Sequence, residues 1–501
     1  MSTTPSPTDL PIAHAGATLS PSGGRLIVGI EVHLQLRTKT KCFCPCRAVY
    51  GADPNTHVCP VCLGLPGALP VLNGEALRLG LRGGLAMGCA IAKRTKWDRK
   101  NYFYPDLPKG YQISQYDVPL CFEGGIEIDG DDGKTKLVRI RRAHLEEDTG
   151  KSFHVAGTPV SRIDLNRCGT PLLEIVSEPD LASAEEAGRY LDELRRIVAY
   201  AGVSDGNMQE GNLRCEPNVN LSFPNGDRTP IVEVKNVNSV GGVERAIRFE
   251  TARQDAEYRT KGATSKNTSR STRGWDEPSG ATVHQRFKES ADDYRYFPEP
   301  DVPPVDVDPA LVAAERASLP EMPRARRTRY VTAWSLPAYD AGVLTAERAV
   351  SDWYEGALRA GGSPKSVANL LMGEVFARLK ELDKGIEAVP FPPTRLGELA
   401  SLLDAKTING GTAKQVLRTM WETGEAPASI VEKAGLAQVS DPAAVRTACE
   451  KAIADAPQAA EAVRAGNDKA IGKLVGLAMK ALGGKGDPVR VNETLKALLS
   501  G

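Results

Sequence analysis

Apolar and polar residues alternate from Arg25 to Arg37, and this pattern predicts a β-strand with one buried and one polar face. Successive side chains of a strand point to opposite faces, so Ile30, Val32 and Leu34 belong to the buried face. Glu31 and His33 belong to the polar face. Such a pair suits metal binding or proton transfer, although an ordinary solvated strand face shows the same pattern.

Further acidic residues follow on strand-like or turn segments that apolar positions flank. They are Glu147, Glu174, Glu210 and Glu233. If these segments are neighbours in one sheet, their carboxylates face one cavity together with Glu31, and their mutual repulsion calls for divalent cations and a basic ligand. Magnesium with a nucleotide meets this requirement, because the metal bridges phosphate oxygens in phosphoryl transfer. Hard cations prefer oxygen ligands, so His33 either contacts the metal through water or acts as a base.

Basic residues that would complete a phosphate-binding site lie on neighbouring segments. They are Lys100, Lys235, Arg273 and Arg286. Overall charge gives no such signal, since 63 Lys and Arg balance 63 Asp and Glu. The balance excludes a globally basic nucleic-acid binder, and any RNA-contacting surface must be local.

The pattern changes at a proline-rich stretch, residues 298–304, which is the main predicted domain boundary. Helical spacing dominates after it, so we expect an α+β protein with a mixed or antiparallel sheet in its N-terminal domain. The predicted parts are a disordered tail over 1–24, a catalytic domain over 25–298 with a loop inserted at 42–62, a helical domain over 299–430 and a helical tail domain over 431–501.

Cysteine usage indicates a metal rather than disulfides. The chain has 10 cysteines, no run of about 18 apolar residues and no apolar core in its first 24 residues, so we expect a cytoplasmic protein without a membrane span or secretory signal. The spacing Cys-x-Cys-x12-Cys-x2-Cys predicts a closed structural zinc site. Its ligands would be Cys44, Cys46, Cys59 and Cys62, although Cys42 is a further candidate and buried reduced thiols are the alternative.

Several long strings, in order along nearly the whole chain, carry a family resemblance. They include residues 29–36 (GIEVHLQL), 54–67 (PNTHVCPVCLGLPG), 100–112 (KNYFYPDLPKGYQ), 144–148 (HLEED), 173–180 (LEIVSEPD), 208–215 (MQEGNLRC), 272–277 (TRGWDE) and 293–301 (DYRYFPEPD). They resemble the B subunits of aspartyl/glutamyl-tRNA(Asn/Gln) amidotransferases. The resemblance implies a glutamine-synthetase-like cradle, a helical domain and a helical tail that meets the outer part of tRNA.

The same resemblance implies a chemistry. The cradle would use ATP to phosphorylate the side-chain carboxylate of glutamate on tRNA(Gln) or aspartate on tRNA(Asn), and ammonia would then form the amide. The family's magnesium ligands fall on Glu31, His33, Glu147 and Glu174. Cys42 is an extra thiol relative to zinc-bearing members, which leaves the choice of zinc ligands open.

The sequence has no Gly-x-Ser-x-Gly elbow or other glutaminase signature, so a partner must supply ammonia. The resemblance implies a heterotrimer in which this partner is a glutaminase of the amidase family, the A subunit, and the third component is a small C subunit. Two alternatives to the catalytic interpretation remain: a non-catalytic tRNA-binding subunit of the same complex, and a stand-alone carboxylate–ammonia ligase for a small molecule. The sequence does not tell Glu-tRNA from Asp-tRNA as the substrate.

Overall fold

The computed structural model of this 501-residue chain describes residues 18–155, 157–287, 291–438, 441–465 and 467–500. The chain forms two compact units, one that ends at Met322 and one that begins at Pro323. The first contains the strands and the second is helical, so the predicted α+β class is confirmed. None of the helices in the described ranges is both long enough and apolar enough to cross a membrane.

Within the described ranges, the strands are β1 (Arg25–Gln35), β2 (Ala90–Ile91), β3 (Arg94–Thr95), β4 (Asp98–Asn101), β5 (Tyr111–Ser114), β6 (Cys121–Asp129), β7 (Thr135–Glu147), β8 (Lys151–His154), β9 (Ser161–Asp164), β10 (Pro171–Ser177), β11 (Leu213–Ser222), β12 (Val232–Lys235), β13 (Ser271–Asp276), β14 (Ala281–Phe287), β15 (Phe297–Pro298) and β16 (Val305–Asp306). The helices of the first unit are α1 (Gly74–Ala86), α2 (Ala184–Tyr200), α3 (Val240–Lys261) and α4 (Pro309–Ala317).

The helices of the second unit are α5 (Pro323–Trp334), α6 (Ala338–Leu344), α7 (Arg348–Leu358), α8 (Pro364–Leu370), α9 (Phe376–Leu382), α10 (Pro393–Asp404), α11 (Gly410–Thr423), α12 (Pro427–Lys433), α13 (Pro442–Asp455), α14 (Pro457–Arg464), α15 (Ile471–Ala481) and α16 (Pro488–Ser500). A π-helical stretch, Leu371–Val375, joins α8 to α9. Short 3-10 turns cover Ala291–Tyr294, Ile386–Ala388 and Asp468–Ala470.

The strand predicted from alternation, β1, lies at the centre of the main sheet. The strand order is β14-β13-β12-β11-β1-β10-β7-β6-β2, and every adjacent pair is antiparallel except β12 with β13. Burial alternates residue by residue along β1, with Val28, Val32 and Leu34 fully buried. The predicted division of β1 into an apolar and a polar face is therefore confirmed.

Helices α1, α2 and α3 share one hydrophobic core with the apolar face of this sheet. Helix α2 begins at a capping serine, where Ser183 Oγ accepts a hydrogen bond from the Glu186 amide at 3.1 Å. Gly80 lets α1 approach the sheet closely, because a Cβ there would lie 2.8 Å from Leu145 Cδ2. The helix layer leaves the opposite face of the sheet for polar residues.

The register of the strands brings polar residues from distant parts of the chain next to one another on this face. His33 lies opposite Glu174 of β10 and Arg214 of β11, and Glu31 lies opposite Glu216. Glu174 lies in turn opposite His144 of β7. Residues directly opposite each other on antiparallel strands share a face, so chain segments nearly 200 residues apart deliver side chains to one surface.

The sheet-rich unit extends beyond the predicted boundary at residue 298. Strand β16 pairs with β3, and Val302 and Val307 are buried in the core of the first unit. Helix α4 packs on α1, where Glu315 pairs with Arg82 at 2.7 Å. The proline-rich stretch is thus followed by residues 305–322, which belong to the same unit.

The other predicted boundaries also differ from the packing. Ile430 and Val431 of α12 belong to the core of the preceding helices, whereas a separate core runs from Val445 to Leu499. Residues 1–17 of the predicted tail lie outside the described residues. Residues 18–24 form a turn in which Ser20 Oγ donates to Asp255 Oδ1 at 2.5 Å.

Candidate functional site

One group on the polar face combines His33, Glu146 and Glu174, whose ligand atoms all lie within 4.8 Å of one another. His33 Nε2 is 3.4 Å from Glu146 Oε1 and 3.5 Å from Glu174 Oε2. Burial by itself lowers the pKa of His33, but the hydrogen bond to Glu174 and the surrounding negative charges outweigh it and raise that pKa to about 9. Such a concentration of negative charge fits a bound cation.

A second histidine supports this group from the neighbouring strand. His144 is buried, and its Nε2 lies 3.3 Å from Glu174 Oε2. Burial opposes ionisation of Glu174, yet the two histidines hold the pKa of that carboxyl well below its usual range. His144 therefore fixes the carboxylate that His33 approaches from the other side.

A second group on the same face combines three further carboxylates whose oxygens lie within 4.8 Å of one another: Glu31, Glu216 and Glu233. Asn218 Nδ2 donates to Glu31 at 2.9 Å, and Thr272 Oγ1 donates to Glu233 at 2.7 Å. Lys235 Nζ donates to Glu216 at 2.7 Å. Burial would raise the pKa of Glu216, but the charges of Lys235 and His33 lower it, which favours the ionised form of this carboxyl.

Three of the predicted basic residues border this surface. Lys235 pairs with Glu216, as above, and Lys100 lies 5.3 Å from the centre of the Tyr294 ring. Burial disfavours the charged form of Lys100, but Glu146 and Glu174 raise its pKa well above the usual value. Arg286 of β14 lies opposite Thr272 of β13, and its Nη1 donates to the Tyr104 hydroxyl at 2.8 Å.

The fourth predicted basic residue, Arg273, lies on the other face of the sheet. Its parallel partner on β12 is Val234, a core residue, and its side chain turns toward α3. Arg273 Nε donates to Thr282 Oγ1 at 2.8 Å and lies 3.3 Å from Glu250. The structure therefore removes Arg273 from the phosphate-binding candidates.

Two predicted acidic residues, Glu147 and Glu210, lie outside the two ligand groups, and a nearby glutamate takes part in place of each. Glu147 faces away from His33, and its Oε1 accepts hydrogen bonds from Lys109 Nζ and from the Ile113 amide at 2.9 Å. Glu146 occupies its expected place, since it shares a strand face with His144. Glu210 is exposed in the turn before β11, and Glu216 on that strand joins the group instead.

The residues that sequence reasoning missed are Glu146, Glu216, His144 and Arg214. The last of these pairs with buried Asp148 at 2.7 Å. A signal for Glu146 was present, because Ala143 and Leu145 alternate with His144 and Glu146 in the same way that core and polar residues alternate on β1. Glu216 likewise alternates with buried Cys215 and Pro217.

The cysteine loop brings together the four predicted ligands, Cys44, Cys46, Cys59 and Cys62, with sulfur atoms within 4.8 Å of one another. Cys42 is buried outside this group, and burial raises the pKa of its thiol. The pKa of Cys62 lies well below its usual range, because Cys44, the Cys59 amide and the Lys41 ammonium stabilise the thiolate against the cost of burial. Four clustered sulfurs with one stabilised thiolate fit a thiolate-bound metal, whose identity remains a prediction.

Comparisons with known proteins agree with this α+β organisation. Residues 26–313 match the family model described as the GatB/GatE catalytic domain, and residues 352–499 match the model described as the GatB domain. The first match covers the sheet unit with its carboxylate face, and the second covers most helices of the second unit.

Similar proteins cover almost the whole chain. The B subunit of the aspartyl/glutamyl-tRNA(Asn/Gln) amidotransferase of Chlorobium phaeobacteroides is 48% identical over 95% of this chain and 99% of its own. The protein of that name from Thermosynechococcus vestitus is 46% identical over 95% and 96%, and the one from Halorhodospira halophila is 48% identical over 95% and 99%. The chain belongs to the GatB family.

Proposed function

We propose that this chain is the kinase and transamidase component of a tRNA-dependent amidotransferase. Its substrates would be glutamate on tRNA(Gln), aspartate on tRNA(Asn), or both, as the names of its relatives indicate. The observation that carries the catalytic assignment is the pair of three-ligand groups on one sheet face, bordered by Lys100 and Lys235. A surface that only grips RNA gains nothing from six converging acidic or imidazole ligands.

The two groups fit divalent cations that accompany a nucleotide. His33, Glu146 and Glu174 would hold one ion, and Glu31, Glu216 and Glu233 a second, with magnesium the natural choice for the oxygen-only group. Bound there, such ions would neutralise the phosphate oxygens of ATP.

Residues of the chain itself would prepare the substrates for transfer. Lys100 and Lys235 supply fixed positive charge beside the carboxylates, and Arg286 adds a further cation at the edge of the surface. His144 fixes Glu174. Because these groups are positioned before substrate arrives, they stabilise developing phosphate charge without reorganisation.

The proposed reaction has two balanced steps. An oxygen of the aminoacyl side-chain carboxylate attacks the γ-phosphorus of ATP, the bond to the bridging oxygen breaks, and ADP leaves. The nitrogen of ammonia then attacks the carbonyl carbon of the acyl phosphate, phosphate leaves and the nitrogen loses a proton, which gives the amide on tRNA. Ammonia would come from the amidase-family glutaminase, the A subunit, with a small C subunit completing the heterotrimer.

The helical core from Val445 to Leu499 would meet the outer part of tRNA. This separate core gives the tail a surface of its own. Removal of residues 441–501 should therefore raise the KM for tRNA at least several-fold and leave the metal-binding face intact.

The test is ATP-dependent phosphorylation of Glu-tRNA by the purified heterotrimer. Glu216→Gln should abolish phosphorylation while tRNA binding persists, because the substitution removes a ligand charge and keeps the side-chain shape. Glu210→Gln is the matched control, since Glu210 is exposed on the same segment and lies outside both groups. Wild-type phosphorylation by Glu216→Gln would favour the alternative of a non-catalytic tRNA-binding role.

A further inference from the structure

A fully buried lysine lies beside the four-cysteine group and plays no part in the proposed reaction. Lys41 has no exposed surface, although it stands one residue before the cysteine loop begins. A buried ammonium is unfavourable unless its donors are satisfied and its charge is compensated. The surroundings of Lys41 therefore indicate what compensates it.

Each of the three ammonium protons of Lys41 has an acceptor. Nζ donates to the carbonyl oxygen of His57 at 2.7 Å, to that of Leu165 at 3.4 Å, and to Cys62 Sγ at 3.6 Å. Among the residues that the structure describes, Lys41 pairs with no carboxylate. Glu147 lies near Gly169, as Lys41 does, but it is paired with Lys109. The available negative charge is that of the cysteine sulfurs.

The acceptors belong to two different parts of the chain. His57 and Cys62 lie in the cysteine loop, whereas Leu165 lies in the segment 164–170 that leads directly into β10. Other bonds join the same two parts, because the His57 amide donates to Asn166 Oδ1 at 2.8 Å and Cys168 Sγ donates to the Cys62 carbonyl at 3.3 Å. Strand β10 then carries Glu174 to the polar face.

We propose that Lys41 is the built-in counter-cation of the four-cysteine metal centre and couples the metal-loaded loop to segment 164–170. Four thiolates around a divalent cation carry a net negative charge, which the buried ammonium partly offsets through its bond to Cys62. Lys41 touches neither metal nor substrate, so it is a positioning residue. This inference is independent of the proposed reaction, since it concerns metal retention without ATP or tRNA.

The experiment measures metal release from the full-length chain loaded with cobalt(II), whose thiolate absorption reports an occupied site. Lys41→Met keeps a long side chain and removes the charge. Loss of a hydrogen-bond partner of a metal ligand usually lowers metal affinity by about 10- to 100-fold, so we expect release to excess EDTA to become faster by a similar factor. Lys39→Met is the matched control, because Lys39 is exposed two residues away. Equal release rates for the two variants would overturn the proposal.

A measurement on the wild-type chain decides the question even if Lys41→Met does not fold. Lysine acylation followed by mass spectrometry should leave Lys41 unmodified in the metal-loaded chain and modify it after chelation, while Lys39 reacts in both states. Amide hydrogen exchange across residues 164–170 should rise on chelation as well. Lys41 reactivity and segment exchange that do not change with metal would contradict the coupling.

Discussion

Glu146 and Glu147 are neighbours on β7 but lie on opposite faces of the sheet. Replacing each by glutamine should therefore have different effects on stability and on metal binding. Glu147 forms a buried pair with Lys109, and the two side chains are only 2% and 7% exposed. Removal of one partner from a buried ion pair costs about 3–5 kcal/mol. Glutamine keeps an oxygen that can accept from the Ile113 amide, so we expect the lower end, about 3 kcal/mol.

Glu146→Gln should behave in the opposite way. Its hydrogen bond from Ser114 Oγ, 3.2 Å long, survives in the amide, and Glu174 still compensates the charges of His33 and Lys100, so metal-free stability should fall by less than in Glu147→Gln. The variant should instead lose stabilisation by divalent cations. A ligand present at 100 times its dissociation constant stabilises a fold by about 2.7 kcal/mol, and most of this gain should vanish.

The assay is amide hydrogen exchange of peptides from β1, β7 and β10 in the full-length chain, with and without magnesium. Wild type and Glu147→Gln should both gain protection with magnesium, the latter from a lower starting value. Glu146→Gln should start near wild type and gain little. A magnesium response that is lost in Glu147→Gln and kept in Glu146→Gln would refute the assignment of the two faces.

Three further predictions follow from individual contacts. His144→Phe should raise the magnesium concentration needed for half-maximal activity more than it lowers kcat, and His144→Gln should restore part of the loss, because an amide can still donate to Glu174. Leu34→Ala should lower the stability of the first unit by about 2–5 kcal/mol in a denaturant titration, since Leu34 is fully buried behind the polar face. Burial opposes ionisation of Glu355, but hydrogen bonds from Arg326 and Arg329 lower its pKa from 4.5 to about 2, so the stability it contributes is present above pH 4.5 and is lost as the pH falls toward 2. The stabilities of Glu355→Gln and wild type, measured from unfolding transitions followed by far-UV circular dichroism, should accordingly differ at neutral pH and converge near pH 2.

Local patterns sufficed for much of the fold. Alternation along β1 predicted both its faces, and cysteine spacing predicted the four sulfurs that cluster. Each of these features depends on residues close together in the chain. The exclusion of Cys42 did not follow from spacing, because its amide is bonded to Gly169 more than 100 residues away.

Long-range register decided the rest of the site. Two consecutive glutamates at 146 and 147 cannot both face one surface, and the pairing of β7 with β10 selects Glu146. Arg273 lies on the opposite face of the sheet from the site, because parallel pairing of β13 with β12 puts it beside Val234. Glu216 could have been predicted from the alternation on β11, whereas the predicted residue Glu210 lies exposed in the turn before that strand.

In the proposed function, this carboxylate face activates the side chain of an aminoacyl-tRNA through an acyl phosphate. The most direct measurement uses Glu-tRNA(Gln) labelled with oxygen-18 in both oxygens of the side-chain carboxylate and follows the label into inorganic phosphate during amidation by the heterotrimer. We expect one labelled oxygen in the phosphate for each amide formed by the wild-type complex, and none with Glu216→Gln. Amide formation by the wild-type complex with unlabelled phosphate would contradict it.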